Sequence, residues 1–125
     1  WLAEKQETAR LVYESIGKVW TKAELMEEGE SVYNQFCLAC HQSNGQGVPP
    51  VFPSLVGQGM SVGSIDDHVD IVLNGKAGTM MQAFASQLNP VQLAAVITYE
   101  RNAWGNDTGD LLQPSEVSKL LGGDQ

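Results

Sequence analysis

Leu2, Ala9, Val12, Tyr13, Ile16 and Trp20 recur at helical spacing among Glu4, Lys5, Glu7 and Arg10, which predicts an amphipathic helix at the start of the chain. Thr21-Lys22-Ala23-Glu24 has capping-box form, so a second helix is expected to start there and run through Met26, Gly29, Tyr33 and Phe36. Residues 42–53 are too rich in Gly and Pro for a helix or a central strand and read as a wrapping loop. Ser64-Ile65-Asp66-Asp67 repeats the capping logic ahead of an apolar stripe at Ile65, Val69, Val72 and Leu73, and Gly75 supplies a C-terminal stop. Residues 75–87 read as irregular. Asn89-Pro90-Val91-Gln92 opens a last strong helix with Leu93, Val96, Ile97 and Ala103 on its buried side, and residues 114–121 add one short turn. With no alternating strand runs and no internal repeats, the pattern predicts an all-α fold.

Composition narrows the class. A chain of 125 residues fits one domain, and no apolar run approaches the ~20 residues that span a bilayer. Seven Lys plus Arg against fifteen Asp plus Glu give a net charge of −8, which excludes a nucleic-acid partner because phosphate binding needs clustered cations. That charge could steer a basic partner. Seven of the acids, however, lie in residues 1–30 among four cations, as on a solvated face. The opening stretch has neither the apolar run nor the small-residue cleavage site of a secretory signal, so either a signal has been removed or the chain is part of a longer polypeptide.

The candidate chemistry is concentrated in Cys37-Leu38-Ala39-Cys40-His41, the C-x-x-C-H pattern of c-type haem attachment. Thiols three residues apart near a helix end can reach the two vinyl groups of one porphyrin, while the next residue offers an imidazole to the iron. Three other readings compete. A thioredoxin-like pair follows a strand, and no β-branched run precedes Cys37. A zinc site needs four ligands, with only His68 beyond the cluster. A disulfide here closes too small a loop to stabilise much.

Residues 22–104 resemble a monohaem cytochrome c domain of the His/Met type, through Gly29, Tyr33, the attachment motif and Pro53-Ser54-Leu55-Val56-Gly57. The resemblance implies a cytochrome c fold, three to five helices wrapped around one covalently bound haem c. It implies that Gly29 and Tyr33 cross the last helix against Val96, Ile97 and Tyr99. It also implies that the Pro53 carbonyl accepts the Nδ1 proton of His41 and so fixes its tautomer. More narrowly, residues 72–79, Gln82-Ala83-Phe84 and residues 93–102 resemble the haem c domain fused to subunit II of bacterial cytochrome c oxidases, and residues 1–6 resemble the stretch after its dinuclear copper domain. Residues 1–20 would then be a connector helix from an absent upstream copper domain, and residues 21–125 the haem domain. The partners implied are that copper domain, other oxidase subunits and a donor cytochrome or quinol-oxidising complex, on the periplasmic side of a bacterial inner membrane. The parent would be a membrane-anchored, proton-pumping terminal oxidase, the domain alone a redox module. The alternatives are a free-standing soluble periplasmic carrier and a haem-based gas sensor with an open sixth position.

Four methionines compete for the sixth iron position. Met26, on the helix leading to the cysteines, reads as packing, and Met60 sits in a Gly-rich turn. The family motif Gly-Thr-x-Met aligns with Gly78-Thr79-Met80-Met81 and assigns Met81, with Met80 second. Many relatives have proline where this chain has Gln82, which leaves the ligand loop more conformational freedom. His68 is read as off the stripe, partly exposed and without a ligand role. Arg101 is read as a surface residue, Trp104 as packing, and Tyr13 and Trp20 as anchors of the first helix.

Overall fold

The first apolar stripe forms a helix over Leu2–Gly17 (α1). The computed structural model describes residues 2–48, 52, 54–57, 59–79 and 81–122, without the side chains of residues 2, 3, 5, 8, 9, 12 and 60. Further helices span Lys22–Phe36 (α2), Leu38–His41 (α3), Ile65–Asn74 (α4), Pro90–Asn102 (α5) and Pro114–Leu120 (α6), with a 3₁₀ turn at Gly59–Ser61. Among the described residues there is no strand, only an isolated antiparallel bridge between Val48 and Phe52. The fold is all-α.

The helix starts follow from local side-chain chemistry. The Thr21 hydroxyl accepts from the Glu24 amide at 3.2 Å and the Glu24 carboxylate accepts from the Thr21 amide at 2.9 Å, which closes the box that opens α2. Asn89 and Gln92 do the same for α5, and the Ser64 hydroxyl accepts from the Asp67 amide to open α4.

α5 organises the rest. Its buried side was expected at Leu93, Val96, Ile97 and Ala103, yet Val91 and every residue from 93 to 101 are buried. The cause is tertiary: α2, α4, α6 and α1 all pack on this one helix. The closest approach is at Gly29, where an added Cβ would stand 2.2 Å from the Ala95 carbonyl oxygen and 2.6 Å from Tyr99 Cβ. The contact partners of Gly29 are thus Ala95 and Tyr99, in place of the expected Val96 and Ile97. Tyr33 packs tilted against Tyr99 at 5.5 Å and edge-on against Trp104 at 5.0 Å, locking the crossing one turn ahead of Cys37.

α1 lies against α5 and α6. Tyr13 is not an anchor: it is 61% exposed. Trp20 is. Its indole donates to the Ser15 carbonyl, and its backbone amide and carbonyl are both held by the Gln113 side chain at 2.8 and 3.1 Å.

Candidate functional site

Cys37 joins two helices. Its amide donates to the Tyr33 carbonyl as α2 ends, and its own carbonyl accepts from Cys40 and His41 at 3.3 and 3.0 Å as α3 begins. Cys37, Cys40 and His41 therefore share one short turn, all half-buried, with the two thiols unbridged. Burial pushes the Cys37 thiol up from its ordinary value, and the negative charge of Glu100 adds to the effect. A dithiol oxidoreductase needs the opposite, a lowered thiol, so the thioredoxin-like reading loses its chemistry here.

The chain then turns sharply. Gln42 adopts φ +67°, a conformation disfavoured for a residue with a Cβ. The Tyr33 hydroxyl donates to the Gln42 carbonyl at 2.5 Å and the Gly47 amide donates to the His41 carbonyl at 2.9 Å, so the loop is tied back onto the cysteine turn. Gly45 lies so close to the Trp104 ring that an added Cβ would stand 2.5 Å from it, and the Trp104 indole donates to the Ser43 carbonyl. Trp104 is a packing residue, as expected. Pro53, the expected backbone partner of His41, lies outside the described residues.

A second loop reaches the same region. After α4, Gly75 turns at φ +72°, and the Thr79 hydroxyl accepts from the Met81 amide at 3.2 Å. The Phe84 and Ala85 amides then donate to the Val72 and Leu73 carbonyls, which lays the segment along the end of α4. Phe84 meets Phe36 edge-on at 6.4 Å, and Phe36 immediately precedes Cys37. Met81 is half-buried against the main core cluster, as are Leu38 and Leu55. Met26 packs on that cluster too. Met80 lies outside the described residues, as does the Met60 side chain.

Between α4 and α5 lies a polar cluster that includes His68 and Arg101, both expected at the surface. His68 is 2% exposed, Glu100 5% and Arg101 2%. His68 is buried because each ring nitrogen has a partner: Nε2 is 2.8 Å from Glu100 and Nδ1 is 3.2 Å from Arg101. Arg101 is not a surface residue for the same reason, since it donates to Asp110 and to the Gly63 carbonyl. The signal was present in the spacing: Ile65, His68, Val69 and Val72 follow the i, i+3, i+4, i+7 pattern of one helical face.

The family profile described as "Cytochrome C oxidase, cbb3-type, subunit III" matches residues 24–99, which include both cysteines, His41 and Met81. The chain belongs to this cytochrome c family. The cytochrome c-552 of Thermus thermophilus is 33% identical over 93 residues, covering 63% of this chain and 70% of that protein. The gluconate 2-dehydrogenase cytochrome c subunit of Pantoea cypripedii is 29% identical over 120 residues, 86% of this chain but 27% of that protein. The cbb3-type cytochrome c oxidase subunit CcoP of Azospirillum brasilense is 31% identical over 97 residues, 73% of this chain and 32% of that subunit. The chain thus spans about a third or less of both complex-associated subunits.

Members of the family bind covalent haem c, and this cytochrome c domain fits it. Two unbridged thiols and an imidazole share one turn, with half-buried apolar side chains from a second loop nearby. Ser61 Oγ, on the turn packed against α4 and α5, is the one buried side-chain polar atom without a hydrogen-bond partner among the described residues. A polar group from outside the polypeptide would satisfy it. Electron transfer by haem c is the function of this domain. No described helix is long and apolar enough to cross a membrane.

Proposed function

We propose that Cys37 and Cys40 carry the haem c by thioether bonds, that His41 and Met81 are its axial ligands, and that the domain serves subunit II of a cytochrome c oxidase. Bound haem c supplies a one-electron ferric/ferrous couple. The observation that carries the assignment is the Phe36–Phe84 contact, which brings the Met81 loop beside the cysteine turn. The α2–α5 crossing at Gly29 and Tyr33 holds that turn rigid. The likeness of residues 53–57 to the family's Pro-x-Leu-x-Gly segment gives the Pro53 carbonyl the role of fixing the His41 tautomer. A Met81 thioether paired with the His41 imidazole would favour ferrous iron and so raise the reduction potential.

On this reading residues 1–20 connect an upstream copper domain to a haem domain formed by residues 21–125. The donor is a cytochrome or a quinol-oxidising complex at the periplasmic side of a bacterial inner membrane, and the acceptor is the dinuclear copper centre. The narrower likeness of residues 72–79 and 93–102 to oxidase subunit II supports it. A free-standing periplasmic carrier is the second reading, favoured by the 70% coverage of cytochrome c-552.

Two experiments test these assignments. Met81→Ala is expected to abolish the weak long-wavelength sulfur-to-ferric-iron band and open the iron to cyanide, with Met80→Ala leaving both unchanged; the reverse result transfers the role to Met80. Reading the coding sequence upstream of Trp1 separates the two contexts. Two membrane spans and a copper-ligand cluster are expected, and a cleavable signal peptide in their place makes the protein a diffusible carrier.

A further inference from the structure

The cluster between α4 and α5 has a net charge of its own. A guanidinium only donates, so His68 Nδ1, 3.2 Å from Arg101 Nη1, accepts. The ring proton is then on Nε2, donated to Glu100 Oε1 at 2.8 Å, and the imidazole is neutral. Arg101 donates Nε and Nη2 to Asp110 Oδ2, both at 2.9 Å, and Nη2 also to the Gly63 carbonyl at 2.6 Å. Two carboxylates, one guanidinium and a neutral imidazole sum to one negative charge.

That charge is unevenly placed. The Asp110 side chain is 40% exposed and screened by water, whereas the Glu100 side chain is 7% exposed. The interior end of the cluster therefore carries the less-screened carboxylate. α4 brings His68, while its acids Asp66, Asp67 and Asp70 are exposed to solvent. The segment after α5 brings Asp110, and the 3₁₀ region brings only the Gly63 carbonyl. Across from α5, α2 brings Tyr33 in its last turn and Cys37 just past its end, and the Glu100 charge acts on both, adding to burial in pushing them up. The Glu100 backbone is held as well: Asn106 Nδ2 donates to its carbonyl at 2.8 Å and to the Leu55 carbonyl at 2.7 Å.

We propose that Glu100 is a potential-setting residue, a buried anion bonded by His68, which Arg101 in turn holds, that favours ferric over ferrous haem at the neighbouring Cys37 attachment and so lowers the reduction potential. The inference rests on the haem-holding role of Cys37, Cys40 and His41. An anion in a poorly polarisable interior acts over several ångströms, and its sign opposes that of the Met81 thioether. Glu100 thereby trims the potential that the axial ligands set.

The test uses the matured protein and its Glu100→Gln and His68→Gln variants. Haem staining after denaturing electrophoresis comes first, and absence of covalent haem from the wild type would refute the haem-holding assignment itself. Midpoint potentials are then measured by spectroelectrochemistry across a pH series. Glu100→Gln keeps the shape and the acceptor for His68 but removes the charge. At fixed poise it should raise the ferrous-to-ferric ratio roughly tenfold, a positive shift of about 59 mV for one electron. His68→Gln removes no net charge and should leave the potential near the wild-type value. An unshifted Glu100→Gln, or a His68→Gln shift of equal size, overturns the proposal. So does a wild-type potential that falls with rising pH and loses that slope in both variants, which would make the cluster a redox-linked proton site. Should Glu100→Gln fail to accumulate, the Glu100→Gln/His68→Gln pair removes the same buried charge while letting the two amides bond each other; a positive shift of the same size is expected, and none overturns the proposal.

Discussion

Replacing Gly29 by alanine sets two effects of opposite sign against each other at one position. In an isolated helix the change stabilises by about 0.5–1 kcal/mol, because alanine loses less backbone entropy. At the α2–α5 crossing the new Cβ would stand 2.2 Å from the Ala95 carbonyl oxygen, 2.8 Å from the Ala95 carbonyl carbon and 2.6 Å from Tyr99 Cβ. Favourable carbon contacts begin near ~3.5 Å, so the helices must part by roughly 1 Å. All three atoms belong to the backbone or the first side-chain carbon, so no flexible tip can move aside. Overpacking of this kind costs about 1–3 kcal/mol, and separating α2 from α5 also loosens the Tyr33–Tyr99–Trp104 contacts. The net expectation is a loss of about 1–2 kcal/mol, a fall in Tm of about 4–8 °C for a domain of this size. Thermal and guanidinium unfolding followed by helical circular dichroism measure it, with the denaturant slope unchanged if only packing is altered. A midpoint equal to or above wild type would refute the close-approach argument, since helix propensity would then have won.

Gly75→Ala forces a Cβ onto φ +72° and to 2.7 Å from the Met81 carbonyl oxygen, so a loss of about 2 kcal/mol is expected. Cyanide should also enter the ferric protein faster, and an unchanged cyanide rate counts against the coupling of Gly75 to the Met81 loop. Gln113→Ala removes both hydrogen bonds to the Trp20 backbone, with an expected cost of about 1–2 kcal/mol and faster hydrogen exchange at the Trp20 amide. Protection equal to wild type would show that α1 is held by other contacts. Glu24 is held below the usual carboxylate range, by its hydrogen bond to Lys18 first and the Thr21 amide second. Its contribution is therefore complete above the ordinary carboxylate value and lost as pH falls through the lowered one. Carbon chemical shifts at the start of α2 should stay helical to lower pH in the wild type than in Lys18→Ala, and coincident titrations would deny Lys18 that role.

Whether a feature was legible in the sequence depended on its range along the chain. Thr21 with Glu24, Ser64 with Asp67, and Asn89 with Gln92 act across three residues, so the helix starts were readable as letters. His68 was misread because burial of an imidazole depends on Glu100 and Arg101, more than thirty residues away along the chain. Tyr13 was misread for the converse reason. Its helical spacing marks a face, but only packing against α5 and α6 decides which side of α1 is covered.

From its letters alone the chain determined an all-α class, the capped starts of α2, α4 and α5, and a compact Cys37–His41 motif whose chemistry depends on neighbours within a single turn. Tertiary structure decided that α5 is buried on all sides, that Gly29 meets Ala95 and Tyr99, and that the Met81 loop comes beside Cys37 through Phe36 and Phe84. It also decided that three charged or titratable side chains sit inside. Local hydrogen bonds are set by residues close in sequence, whereas close approach, burial and paired charge depend on segments that meet only when the chain has folded.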